Sequence, residues 1–307
     1  MVKAEGTTSG TDIEPMFAGS IPALVTPMHE DGSLDLGALS RLVDFQVDQG
    51  SDGLVIVGTT GESPTVNVDE HCELIEHSVQ QAAGRIKVIA GAGGNSTEEA
   101  INLTRFAKKA GAAAVLSVVP YYNKPTQEGL YRHFRRIAEA VDIPLILYNV
   151  PGRTVADLAE DTTLRLAEIP NIIGLKDATG DLGRAVCLVE RAPPGFCLLS
   201  GEDMTAVFTI LLGYHGTVSV TANVAPRAMH DMCVAARKHN ATTSIRLHRQ
   251  LCGLHRELFC EPSPVPVKWA VSQMGLTEHG IRLPMTPLSA EAQPRVRAAM
   301  RQAGVAT

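Results

Sequence analysis

Asn171-Ile172-Ile173-Gly174-Leu175-Lys176-Asp177-Ala178-Thr179-Gly180 is an apolar run that closes on a lysine and passes at once into a glycine-containing turn. So short and so apolar a run reads as a strand covered on both faces, as strands of parallel sheets are. The same pattern recurs through the first three quarters of the chain. Counting residues 172–176, β-rich apolar runs stand at 21–26, 53–57, 88–91, 113–119, 145–149, 172–176, 197–200 and 217–221. Between them, residues 36–49, 69–82, 97–110, 127–141 and 158–168 carry apolar side chains at three- and four-residue spacing, the period of a helix with one buried face. Asn95-Ser96-Thr97-Glu98-Glu99 and Asp69-Glu70 supply capping side chains and early acids at helix starts.

Eight strands alternating with helices at a repeat of about thirty residues predict an α/β fold of the (β/α)8 TIM-barrel type over residues 17–239. A dinucleotide-binding open sheet would show Gly-x-Gly-x-x-Gly after its first strand. The nearest match, Gly91-Ala92-Gly93-Gly94-Asn95, follows the third run and lacks the spaced third glycine, so it reads as a strand-to-helix turn. After residue 239 the strand signal stops. Residues 240–307 read as a C-terminal helical appendage with helices over 241–259, 265–274 and 290–303, and Pro262, Pro264 and Pro266 fix a helix start. Residues 1–16 are rich in Gly, Thr, Ser and acids and read as a flexible N-terminal extension.

Composition narrows the function. The 307 residues are 45% hydrophobic, enough for a large core, and the formal net charge of −6 without a basic run argues against nucleic acid as a partner. The most apolar stretch, residues 110–119, is far short of a membrane span. The first sixteen residues lack the apolar core of a signal peptide, so a cytoplasmic location is expected. The six cysteines form no Cys-x-x-Cys pair, and the ten histidines show neither His-x-His nor His-Glu-x-x-His, so no metal is expected. His71 with Glu73 reads as a solvated helix face.

In a parallel barrel, reactive groups stand where strands end and loops begin. There, Lys176 offers either a snorkelling side chain or a nucleophilic amine, since withdrawal from water disfavours an ammonium. The second run ends in Gly58-Thr59-Thr60-Gly61-Glu62, whose hydroxyls and backbone N–H groups suit a carboxylate, or a plain tight turn. The fourth ends in Pro120-Tyr121-Tyr122-Asn123-Lys124-Pro125 and the fifth in Tyr148-Asn149-Val150-Pro151-Gly152-Arg153-Thr154. Three of the five tyrosines of the chain fall at these two ends, where a phenol serves as a proton relay or merely rims the barrel. Arg153, read as part of a loop, offers a fork for a carboxylate or a salt bridge to a neighbouring acid.

Taken together and in order, these segments resemble the 4-hydroxy-tetrahydrodipicolinate (dihydrodipicolinate) synthase family, within the N-acetylneuraminate lyase group of Schiff-base aldolases. The resemblance runs from about Phe17 to the C-terminus. It includes Leu199-Ser200-Gly201-Glu202-Asp203, Ser219-Val220-Thr221-Ala222-Asn223, the segment Glu261-Pro262-Ser263-Pro264-Val265-Pro266-Val267-Lys268-Trp269, and Arg282-Leu283-Pro284-Met285. Arg153 within Asn-Val-Pro-Gly-Arg-Thr looks like the synthases and unlike the sialic acid lyases.

The resemblance implies a lyase of the diaminopimelate route to lysine that condenses pyruvate with L-aspartate 4-semialdehyde. Lys176 would form the imine with pyruvate, with no cofactor beyond that covalent bond. Thr59 and Thr60 would hold the pyruvate carboxylate. Tyr148, Thr59 and Tyr122 would relay protons, with Tyr122 supplied by an adjacent subunit of a homodimer or homotetramer. Arg153 would orient the second carboxylate, and Gly201 and Val218 would make backbone contacts near the imine. Asp177 is expected to face away from Lys176, because side chains alternate along a strand.

In many family members L-lysine inhibits at a subunit interface. The matching positions are Ser63, Pro64, His71, Asn95, Glu99 and Tyr121. Pro64 and Val68 depart from inhibited members, with no histidine where Val68 stands, and this leaves lysine inhibition open. Two other readings are a relative that cleaves a 2-keto-3-deoxy sugar acid and a non-catalytic binding protein that kept the pocket.

Overall fold

The structure, a computed structural model, describes residues 14–306. Eight strands form one parallel sheet: β1 (Gly19–Pro22), β2 (Leu54–Ile56), β3 (Val88–Gly91), β4 (Ala114–Val118), β5 (Leu145–Asn149), β6 (Ile172–Asp177), β7 (Cys197–Ser200) and β8 (Gly216–Ser219). Each strand pairs with the next in the chain from β2 to β8, and β8 pairs with β1. The ring closes between β1 and β2 through the Ala23–Val55 bridge, where Leu24 N donates to Val55 O at 2.9 Å. This is the (β/α)8 barrel expected from the alternation.

The crossovers carry α1 (Leu36–Asp48), α2 (Val68–Ala82), α3 (Thr97–Ala110), α4 (Gln127–Ala140), α5 (Pro151–Thr154), α6 (Glu160–Ala167), α7 (Leu182–Arg191) and α8 (Asp203–Leu212), and α9 (Pro226–Arg237) follows β8. Helix α2 starts in a reciprocal capping box between Asn67 and Glu70, and α3 starts on the Ser96 hydroxyl. Three more helices follow: α10 (Ala241–Glu257), α11 (Val265–Gln273) and α12 (Gln293–Gln302). Pro266 lies in the first turn of α11, where its missing N–H costs nothing.

Two apolar layers hold the fold. Inside the ring, Ile21, Val55, Ile89, Leu116, Ile146, Tyr148, Leu199 and Val218 pack together, with Phe17 among them. Outside it, strand residues of the opposite parity meet the helices, and this layer runs on into Leu251, Trp269 and Val296 of the last three helices.

Several local expectations differ from the structure. β1 and β8 each begin and end earlier than their apolar runs, and beyond β8 residues 221–223 wind into a 3-10 turn. There Asn223 accepts from Val25 N and donates to Ala23 O, holding the β1 end in place. Arg153 stands on the one-turn helix α5 and not on a loop. His71 is not on a solvated face: it is buried, and its Nε2 donates to Gly91 O at 2.6 Å. The first thirteen residues of the expected N-terminal extension lie outside the described residues. No helix among the described residues is long and apolar enough to cross a membrane.

Candidate active site

Lys176 is the next-to-last residue of β6, in register with Tyr148 of β5 and Leu199 of β7. Leu199 and Tyr148 belong to the layer inside the barrel, so the pairing turns the lysine inward with them. The ammonium group is withdrawn from water, with the residue 6% exposed, and Nζ lies 4.0 Å from the centre of the Tyr148 ring. The aromatic face can stabilise a cation placed against it, as a protonated imine at this position would be.

Gly201, just beyond β7, supplies the space. A Cβ at this position would stand 3.0 Å from Lys176 Cε and 2.7 Å from Ala178 Cβ. Gly201 N donates to Asp177 O at 2.7 Å, which fixes the β7 end against the lysine strand. Val218 lies in the same inner layer as Tyr148.

Asp177 behaves as alternation requires. Its carboxylate accepts from Thr179 Oγ1 at 2.8 Å and faces Arg184 Nε at 3.5 Å, on the helix side of the barrel. Burial pushes its carboxyl upward, opposed mainly by Arg184. Asn149 joins this network: its amide donates to Asp157 Oδ1 at 2.7 Å and toward Asp177 Oδ1 at 3.5 Å, and its oxygen accepts from Leu158 N at 3.0 Å. The sequence reading left Asn149 unassigned, although it sits between Tyr148 and the Arg153 turn.

Thr59 and Thr60 occupy a tight turn after β2. Gly61 N and Ser63 N donate to Gly58 O, Glu62 N donates to Thr59 O, and the Thr26 hydroxyl donates to Gly61 O at 2.7 Å. Thr60 is buried and Thr59 is partly open. Val57 and Glu62 flank the turn with φ of 53° and 58°, a left-handed conformation that is unfavourable for both, most of all for a β-branched residue. Arg153 is exposed, and its Nη2 reaches the Ser263 carbonyl at 3.4 Å.

Among the described residues no side-chain hydrogen bond joins the other expected members to the lysine. Tyr122 is 89% exposed, with φ of 72°, and stands out from the protomer. Among the described residues no hydrogen bond links the Thr59 hydroxyl to the Tyr148 or Tyr122 phenol. Of the residues matched to an inhibitor site, Asn95 donates to Tyr121 O at 3.3 Å, and Glu99 lies near both His71 and Tyr121. Burial lowers the His71 pKa, with the Gly91 carbonyl opposing it, and raises that of Tyr121. Ser63 is half-buried, while Pro64 and Val68 are exposed.

One pair escaped the sequence reading altogether. Glu62, 3% exposed, is ion-paired with Lys268 of α11, 4% exposed. A lone lysine inside the apolar run Val265-Pro266-Val267-Lys268-Trp269-Ala270-Val271 was the available signal. Arg282 N also donates to Glu62 at 3.3 Å, and the Arg282 guanidinium forks onto Glu70 with two contacts of 2.6 Å. Among the described residues the one cluster with metal-ligand spacing is His29, Asp35 and Glu278, which includes no residue of this site.

A closed parallel barrel with a buried lysine on its inner wall, beside a tyrosine and close to a glycine, is an arrangement that suits a lyase. The chain belongs to the Dihydrodipicolinate synthetase family, whose sequence model matches residues 16–303. It is 69% identical to a 4-hydroxy-tetrahydrodipicolinate synthase of Aromatoleum aromaticum over 290 residues, 94% of this chain and 99% of the relative. The solved structure of the chloride-inhibited dihydrodipicolinate synthase from Acinetobacter baumannii, complexed with pyruvate, superposes with a TM-score of 0.94 at 50% identity, covering 95% of this chain and 100% of that one. The corresponding enzyme from Cyanidioschyzon merolae with lysine bound gives a TM-score of 0.93 at 38% identity, over 95% and 100% of the two chains.

Proposed function

We infer that this lyase condenses pyruvate with L-aspartate 4-semialdehyde through an imine on Lys176. The observation that carries the assignment of the residue is the Lys176 amine, buried on the inner wall beside Tyr148 and close to the space left by Gly201. The amine attacks the keto carbon of pyruvate, water leaves, and the protonated imine becomes the electron sink for loss of a methyl proton. The resulting enamine carbon attacks the aldehyde of the second substrate, giving a hydroxyl. The amino group of that substrate then adds to the imine carbon, closes the ring and releases Lys176. The iminium supplies the electron withdrawal a metal would otherwise provide, so the chemistry calls for no cofactor.

Thr59 and Thr60 hold the pyruvate carboxylate in this reading, with the N–H groups of their turn adding to the hydroxyls. Tyr148 hands protons to and from the reacting carbon and oxygens, with Thr59 as the next hydroxyl. Tyr122, which projects from its own protomer, completes the relay of a second copy, so the working unit is a homodimer or a homotetramer built from such pairs. Arg153 orients the carboxylate of the semialdehyde, and the backbone at Gly201 and Val218 lines the imine. Ser63, His71, Asn95, Glu99 and Tyr121 form a candidate site for L-lysine. Residues 17–239 are the catalytic barrel, residues 240–307 its helical appendage, residues 1–16 an N-terminal extension, and the location is cytoplasmic.

Turnover is tested by coupling the product to a dipicolinate reductase. Consumption of reductant that requires both pyruvate and aspartate semialdehyde is the expected outcome. Cleavage of a 2-keto-3-deoxy sugar acid without turnover of the semialdehyde would contradict the substrate assignment.

A further inference from the structure

The turn that carries Thr59 and Thr60 is an unfavourable piece of backbone. It has two non-glycine residues in the left-handed region at its ends, and such geometry persists only where surrounding contacts over-determine it. Its first end continues from β2. Its second end, Glu62, is tied to a residue 206 positions away, Lys268, and both side chains are almost wholly buried. Burial works against the Lys268 ammonium, and Glu62 is the principal group that opposes it.

A buried pair of this kind adds little stability over apolar residues of the same size, because desolvation offsets the attraction. What it does supply is a fixed distance and direction. The carboxylate of Glu62 is held from two sides, by Lys268 Nζ and by Arg282 N, while Thr26 holds the Gly61 carbonyl. The same C-terminal segment also meets the other carboxylate-handling element, since the Ser263 carbonyl accepts from Arg153.

We propose that Glu62 and Lys268 are positioning residues for the keto-acid site: α11 reaches over the barrel rim and sets the Thr59–Thr60 turn in the geometry that receives the pyruvate carboxylate. Neither residue is assigned a chemical step, and the proposal rests on the reading of Thr59 and Thr60 given above. Helix α11 is on this account part of what positions the site.

The test is a pyruvate titration of borohydride trapping at Lys176, read by intact mass, with steady-state kinetics and a urea midpoint on each protein. The proteins are the unchanged chain, Lys268→Met, Lys268→Arg and the double variant Glu62→Gln/Lys268→Met. In Lys268→Met and in the double variant, half-saturating pyruvate is expected to rise about tenfold or more, the scale of a small misplacement of a binding group. The adduct at saturation persists, and the KM for the semialdehyde stays within about twofold, because Arg153 is held by a different contact. Lys268→Arg, which restores a charged donor, returns half-saturation to within about threefold of the unchanged chain.

Should Lys268→Met fail to fold because Glu62 is left unpaired, the double variant, with neither charge, carries the comparison. A folded double variant that traps pyruvate at the original half-saturating concentration would overturn the proposal, as would equal losses for both substrates. Absence of any adduct in the unchanged chain would instead overturn the imine on Lys176, so the two failures are distinct.

Discussion

At the scale of single residues the site depends on where two atoms stand. Tyr148 touches the Lys176 amine with its ring face, at 4.0 Å, so its phenol can be removed without disturbing that contact. Tyr148→Phe is therefore expected to lower kcat by about 10²- to 10³-fold, as loss of a proton-transfer group does, while pyruvate still forms a reducible adduct. An unchanged kcat would remove the phenol from the relay. Gly201 is the opposite case, where what matters is an absent side chain. Gly201→Ala places a methyl group 3.0 Å from Lys176 Cε and 2.7 Å from Ala178 Cβ, and both neighbours belong to a packed wall. The variant is expected to trap pyruvate at least about tenfold more slowly, with the fold kept. Trapping at the original rate would mean that the amine has room to spare.

At the scale of elements, β5 and β6 must present Tyr148 and Lys176 side by side, and Asn149 ties their ends together by contacting Asp177, Asp157 and Leu158 N. Asn149→Ala leaves buried partners unmet and is expected to cost about 1–3 kcal/mol, seen as a lower urea midpoint, with a fall in kcat as the pair loses register. A midpoint that does not move would mean that the network relaxes onto water. Sequence reading reached the strands because a parallel strand buried on both faces is a plain apolar run; a lysine ending such a run drew notice to Lys176, but the run left a snorkelling side chain open and the family resemblance supplied the role. It left α7, α8 and α9 unnamed. For α8, Asp203-Met204-Thr205-Ala206-Val207-Phe208-Thr209-Ile210-Leu211-Leu212, the reason is physical: apolar residues surround it, so no one-sided period stands out; α7 and α9 do carry a one-sided period that was passed over. The Asn149–Asp177 contact and the Glu62–Lys268 pair were illegible for a different reason, since they join residues 28 and 206 positions apart, which no local pattern encodes.

At the scale of the whole molecule, burial sets the response to acid. His133, which shares a hydrogen bond with Thr97, and His255, which shares one with Thr221, are both buried, and desolvation lowers each to a pKa of about 4 from the ordinary 6.5. Above pH 6.5 neither state binds the extra proton and stability is unaffected. Between pH 6.5 and 4 the unfolded chain takes up protons that the native state refuses, so stability falls with pH, by on the order of 2 kcal/mol per histidine at pH 5. Urea midpoints at pH 7.5 and pH 5 test this: His133→Gln should shrink the difference between them, and an undiminished difference would assign the acid sensitivity elsewhere. The barrel as a whole exists, on this account, to hold one amine at the end of β6 out of water and within reach of a keto acid. The most direct measurement is to incubate the protein with pyruvate, reduce with borohydride, and follow intact mass by peptide mapping. A single pyruvate-derived adduct on the peptide containing Lys176 is the predicted result; no adduct, or an adduct on another lysine with Lys176 unmodified, would contradict it.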